Sequence, residues 1–150
     1  MTIPKIYLDN CSYNRPFDDQ SQKKIHLETE AKLFIQAGIR EGMYSLCWSF
    51  VLDYENGSNP YEEKKHTIGV WKHIADDYCP SSESVLNRGK EIMKNGIKNM
   101  DSLHIACAIE RHCQYFITTD TKLTHKNVKD IQIINPIDFI REMEDGPNDN

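Results

Sequence analysis

Gly96-Ile97-Lys98-Asn99-Met100-Asp101-Ser102-Leu103-His104-Ile105-Ala106 is followed, after a short break, by Tyr115-Phe116-Ile117-Thr118-Thr119-Asp120. The first stretch reads as a helix from Met100 to about His112, with Asn99 as its N-cap. Leu103, Ile105, Ala106, Cys107, Ala108 and Ile109 make it apolar nearly all round, which marks a buried helix. The second stretch is a short apolar strand that ends on an acid. Near the start of the chain, Ile6-Tyr7-Leu8-Asp9 repeats that pattern. Short β-type runs separated by helices predict a parallel sheet, whose ligands bind outside the carboxyl ends of its strands.

Working outward, Asn10 to Ser21 is rich in turn formers and reads as a long loop. Ser21 is placed to cap the helix after it, on which Leu27, Ala31, Phe34 and Ile35 share one face. That helix is expected to end between Gly38 and Gly42. Met43 to Trp48 reads as a second strand, and Phe50 to Glu55 as a short helix stopped by Asn56-Gly57-Ser58-Asn59-Pro60. Further helices are expected over Tyr61 to Ala75 and Ser84 to Lys94, with room for a short strand between Asp76 and Ser82. Ile131 to Ile134 reads as the last strand, and Pro136 leads into a helix over Ile137 to Met143. The fold class is α/β, one domain over residues 1–143, and residues 144–150 read as a disordered tail.

Asp9, Glu55, Asp101 and Asp120 each fall at a strand end or in the first turns of a helix. A parallel sheet gathers such positions on one edge. Carboxylates crowded there repel one another unless a cation neutralises them, and hard oxygen ligands suit Mg²⁺ or Mn²⁺. Such an ion acidifies a bound water and stabilises charge on a phosphate oxygen, so metal-assisted phosphodiester hydrolysis is the chemistry expected. Each acid alone also has a plain reading as a cap or turn residue, and Asp53 competes with Glu55 for the second position. His104 lies three residues after Asp101 and reads as a core or supporting histidine rather than a ligand. Lys90, Lys94 and Lys98 recur at helical spacing near Asp101, and Lys122 and Lys126 follow Asp120. They and Arg15 can contact a phosphate backbone, although a solvated helix face is the commoner use of such lysines.

The formal charge of −5 argues against a non-specific nucleic-acid coat, though not against an enzyme acting on nucleic acid. No Gly-rich phosphate loop, serine nucleophile elbow or zinc-type Cys/His spacing is present. Five cysteines with no Cys-x-x-Cys pair fit a reduced, cytoplasmic protein. No apolar run is long enough for a membrane span. A haloacid-dehalogenase-type phosphatase would need a second aspartate where Cys11 stands.

From Ile6-Tyr7-Leu8-Asp9-Asn10 to Ile134-Asn135-Pro136 the chain resembles a PIN domain. The aspartate-led helix followed by a strand ending in Thr-Thr-Asp carries most of the likeness. Tyr13-Asn14-Arg15-Pro16-Phe17-Asp18-Asp19 is similar to a segment of small single-domain bacterial and archaeal members. The resemblance implies a three-layer α/β/α sandwich and a Mg²⁺- or Mn²⁺-dependent ribonuclease acting on RNA. It also implies a homodimer, and a toxin paired with an antitoxin protein. Carried over by position, Asp9, Glu55, Asp101 and Asp120 are the catalytic, metal-binding acids. Asn10, Arg15, Lys98 and Thr119 are the substrate-binding candidates, with Thr118 or Thr119 the polar residue beside the last acid. Thr121, Lys122 and Leu123 stand where many relatives carry a further acid, which points to one ion rather than two. The alternative is the same fold used as a non-catalytic RNA- or protein-binding module.

Overall fold

A computed structural model of the chain describes residues 3–145. Five strands form one all-parallel sheet: β1 (Lys5–Leu8), β2 (Ser45–Ser49), β3 (Asp77–Cys79), β4 (Tyr115–Ile117) and β5 (Gln132–Ile134). Their order is β3-β2-β1-β4-β5. The chain therefore winds one way from β1 and then returns to β1's other edge with β4, where Leu8 pairs with Ile117. This reversal opens a crevice at the carboxyl ends of β1 and β4, the usual ligand position in such sheets.

Among the described residues eight α-helices link and cover these strands: α1 (Asn10–Asn14), α2 (Lys23–Arg40), α3 (Phe50–Gly57), α4 (Glu62–Ile74), α5 (Glu83–Met93), α6 (Asn99–Glu110), α7 (Thr121–Thr124) and α8 (Pro136–Asp145). The layers form the α/β/α sandwich expected from the sequence. β1, β2 and β4 are short and buried on both faces: Ile6, Tyr7, Leu8, Leu46, Cys47, Phe116 and Ile117 are fully enclosed. Each such side chain contributes about 1.5–3 kcal/mol by leaving water. The nearly all-round apolar helix is α6, which packs against α5, β2, β3 and β4. Its Ser102 and the run His104–Ile109 are buried. On the other face α8 packs on α2, and Phe139 meets Tyr44 and Tyr115 edge-on.

Four local expectations are corrected. Asn10 to Phe17 is ordered as α1 and a single 3-10 turn (Arg15–Phe17), not as a loop. Its sequence has little helix propensity, so tertiary anchors decide. Tyr13 is buried edge-on against Trp48, and the Ser12 hydroxyl donates to the Ile117 carbonyl at 3.1 Å. Secondly, Ser21 does not cap α2: its N–H and hydroxyl both donate to Asp19 Oδ1. Thirdly, the buried face of α2 is displaced from Leu27 and Phe34, which are 51% and 58% exposed. It runs instead through Glu28, Ala31, Lys32, Ile35, Gln36 and Ile39. Polar residues enter that face because Glu28 has partners there: Asn135 Nδ2 donates to it at 2.6 Å, and Arg15 Nε lies 3.1 Å away. Lastly, Asn99 is the first residue of α6 rather than its cap, and Asp120 caps an unexpected one-turn helix, α7.

α8 takes in Glu144 and Asp145, and the rest of the expected tail lies outside the described residues. No helix among the described residues is long and apolar enough to cross a membrane.

Candidate metal centre

Asp9 is set by three local contacts. Its backbone N–H completes the β1–β4 ladder by donating to the Ile117 carbonyl at 2.9 Å. Its carboxylate then caps α1, accepting from the Asn10 N–H at 2.7 Å. The Thr118 hydroxyl donates to the other oxygen at 2.9 Å. An acid at the end of a central strand, capped onto the next helix and only 5% exposed, has one orientation available. Of the two threonines before Asp120, Thr118 is thus the one that touches an acid. Thr119 is buried, and its N–H points to Cys11 Sγ at 3.4 Å. Burial and the Asp9 charge push the Cys11 thiol up to about 12, so it stays protonated and donates to Asp9.

Glu55 comes from α3, which begins at the end of β2 with Ser49 as its cap. Its carboxylate accepts a hydrogen bond from His104 Nε2, on α6. His104 Nε2 also lies 3.8 Å from Asp9 Oδ1. On its other side, His104 Nδ1 meets the buried Tyr7 hydroxyl. Burial opposes charge on this imidazole, but the Glu55 hydrogen bond and the charges of Asp9, Glu55 and Asp101 outweigh it and raise its pKa. Asp53, the competing acid, is engaged elsewhere, accepting from Trp48 Nε1, Tyr78 Oη and Lys72 Nζ.

Asp9, Glu55, Asp101 and Asp120 line one cavity of about 360 Å³, together with Asn10, Cys11, Asn14 and Asp18. Asp101 stands in the first turn of α6, half-buried. Loss of water and the charges of Asp9 and Asp120 raise its carboxyl pKa. Asp120 is exposed, and its carboxylate accepts from the N–H groups of Lys122 and Leu123. It is therefore both the helix cap of the plain reading and a wall of the cavity.

The sequence-based substrate candidates separate. Asn10 lines the acidic cavity. Lys98 lines an adjoining one of about 410 Å³, with Lys122, Lys126 and His125; Asp101 and Asp120 are walls common to both. Gly96, at φ +79°, makes the left-handed turn into α6, and a β-carbon there would stand 3.3 Å from Lys126 Nζ. Arg15 reaches neither cavity, because its guanidinium faces Glu28 and Asp18. Lys90 and Lys94 are exposed along α5 and just after it and line neither cavity.

The donor set fits a divalent cation. Ligand atoms of Asp9, Glu55 and His104 all lie within 4.8 Å of one another, the one such grouping among the described residues. Burial first, and then the charges of Asp9 and Asp120, raise the Asp101 pKa, and a bound cation would offset both. Oxygen donors dominate, as Mg²⁺ and Mn²⁺ require, and the imidazole adds one borderline nitrogen. Sequence reasoning set His104 aside as a supporting residue. Its spacing from Asp101 was visible, but its approach to Glu55, 49 residues earlier, depends on how α3 and α6 pack.

Among solved structures, the chain is similar to VapBC2 from Rickettsia felis, crystallised bound to a DNA fragment from its promoter. The TM-score is 0.54 at 12% identity, over 87% of this chain and 98% of that one. The likeness is one of fold. No family model and no curated protein matches the sequence.

Proposed function

We propose that this protein is a metal-dependent endoribonuclease that hydrolyses RNA phosphodiester bonds. The observation that carries the reading is the meeting of Asp9, Glu55, Asp101 and Asp120 around one cavity at the β1/β4 crevice. Asp9, Asp101 and Glu55 would hold a Mg²⁺ or Mn²⁺ ion, with His104 beside them. The ion supplies charge stabilisation at the phosphate and acidifies a water. The chain's own residues do the rest. Thr118 and the Asn10 N–H hold Asp9 in place, and His104 holds Glu55. Glu55 and the exposed Asp120 are the bases that can take the proton of the attacking water. As the water oxygen bonds to phosphorus, the bond to the leaving oxygen breaks and a proton is returned to it. Lys98, Lys122 and Lys126, beside the acids, suit the flanking phosphates.

RNA as substrate follows from the PIN-like sequence pattern. A protein partner is supported by the fold's likeness to a VapBC2 assembly, and the exposed Leu27 and Phe34 on α2 offer apolar contact area for an antitoxin or a second copy. The test is cleavage of an end-labelled single-stranded RNA with Mn²⁺ or Mg²⁺, against EDTA and against Asp9→Asn and Asp101→Asn. Cleavage that needs the ion and vanishes in both variants, with circular dichroism unchanged, is expected. Retained cleavage in the double variant would sink the assignment. Absent both cleavage and any stabilisation by Mn²⁺, the chain is a binding module built on the same fold.

A further inference from the structure

A third, smaller cavity, of about 120 Å³, lies between α1, the 3-10 turn, α2 and α4, on the side of α1 away from the acids. Its walls include Tyr13, Phe17, Ile68 and Trp71, and its polar lining is Lys32, Gln36 and Thr67, whose hydroxyl is already spent on the Glu63 carbonyl. What sets it apart is the state of its donors. Lys32 is 5% exposed, and burial alone acts on its ammonium, lowering its pKa to about 8. Its Nζ stands 5.8 Å from the centroid of the Tyr13 ring. The amide nitrogen of Gln36 and the hydroxyl of Tyr13 are buried and have no hydrogen-bond partner among the described residues.

Two buried donors without acceptors, beside a lysine that no carboxylate among the described residues pairs, are costly around one cavity, because a buried polar group left unmet has given up its water for nothing. Such a group is retained where something else compensates, and functional sites are the usual place. The missing component is an acceptor carrying negative charge. The size limits it: the space equals roughly four water molecules, too little for a nucleotide. The aromatic and aliphatic walls want an apolar body behind the charge. Around the exposed Phe17, the Lys64 ammonium stands 5.3 Å from the ring and adds positive potential at the rim. A phosphate would bring more acceptor oxygens than three donors satisfy, and no apolar surface.

We infer that this cavity is a binding site for a small monocarboxylate, its carboxyl group held by Lys32, Gln36 and Tyr13 and its short aliphatic part against Trp71 and Ile68. None of these residues lines the acidic cavity, so the inference stands apart from the nuclease reading.

The test is a titration of the isotope-labelled protein with sodium butyrate, read by NMR at the Gln36 side-chain amide and the Trp71 indole. Butylamine and inorganic phosphate are the controls. Saturable shifts with butyrate alone are expected, with affinity at least about tenfold weaker in Lys32→Met and reduced in Gln36→Leu. Lys32→Met removes a buried charge, so it keeps its fold, which the rest of the spectrum verifies. Absence of saturation in the wild type overturns the site. So does equal binding by Lys32→Met, or an equal response to butylamine or phosphate.

Discussion

The Tyr7 hydroxyl lies 2.5 Å from His104 Nδ1, on the side of the imidazole away from Glu55. Tyr7 Oη is also 2.6 Å from Ser49 Oγ, which accepts the Leu52 N–H at the start of α3. With neutral imidazole, one direction satisfies every group: Ser49 donates to Tyr7, Tyr7 to Nδ1, and Nε2–H to Glu55. The buried phenol thereby fixes which histidine nitrogen faces the acids. Tyr7 keeps its proton because burial raises its pKa far above the ordinary value.

Tyr7→Phe should leave the fold intact and cost about 1–2 kcal/mol in urea unfolding, for the buried partners left unmet. Long-range proton–nitrogen NMR at alkaline pH, where the raised pKa no longer keeps the imidazole charged, should show His104 losing its single tautomer. A histidine spectrum unchanged from the wild type would mean that Glu55 alone sets the ring.

Asp101→Asn should stabilise the metal-free protein while removing its response to Mn²⁺. The Asp101 carboxyl is half-buried and crowded by Asp9 and Asp120, and its raised pKa means that its charge costs stability at neutral pH. Relief of one such repulsion is expected to raise Tm by a few degrees, for about 1 kcal/mol. A thermal-shift series with and without Mn²⁺ checks both halves. A lower metal-free Tm would contradict the crowding.

Lys32→Met should also raise stability, for a different reason. The ammonium's pKa falls from 10.5 to about 8 on folding, so the folded state binds this proton less tightly than the unfolded chain. The penalty is full below about pH 8 and fades as pH rises towards the unfolded value. Near neutrality the gain from its removal is about 3 kcal/mol. Denaturant midpoints compared at neutral pH and at about pH 10 should show the gap between variant and wild type narrowing.

Asp77→Asn should weaken the protein chiefly above the range where carboxylates titrate. Asp77 opens β3 and accepts from Arg111 at 2.7 and 2.9 Å and from Lys5, at the opposite edge of the sheet from the acids. Burial alone would raise its pKa, but these two cations hold it well below the usual carboxylate range. Its contribution is therefore present above about pH 4 and lost as pH falls further. A cost of about 2 kcal/mol at neutral pH is expected, vanishing in acid. Equal loss at all pH values would mean that packing, not charge, is at stake.

Much of this architecture was readable because the sheet is buried on both faces. Ile6-Tyr7-Leu8 and Tyr115-Phe116-Ile117 are continuous apolar runs ended by polar residues, and α6 is apolar enough to be placed inside from composition alone. Position after a strand then brought Asp9 and Asp120 to one edge. Legibility failed where a partner distant in sequence decides. Asn10–Asn14 is helical because Tyr13 finds Trp48 and Ser12 finds Ile117. Glu28 and Lys32 displace Leu27 and Phe34 from the buried face of α2, against any simple count of apolar residues. Arg15 looked free for phosphate but is taken by Glu28, thirteen residues on, through packing that no local pattern encodes.

The strand order carries a consequence for how the protein is made. β1 leaves the ribosome before the other strands and ends up in the middle of the sheet, yet β4, which covers one of its edges, is made only after β2 and β3. Thr118 meets Asp9 across 109 residues of chain. Until that late strand slots in, Asp9 lacks its hydroxyl partner, α1 lacks the Ile117 carbonyl that anchors Ser12, and Asp120 does not yet exist. Such non-local pairing is slow to form. The acidic centre is thus completed only once β4 has been made and docked, and a copy that stops before β4 cannot assemble it.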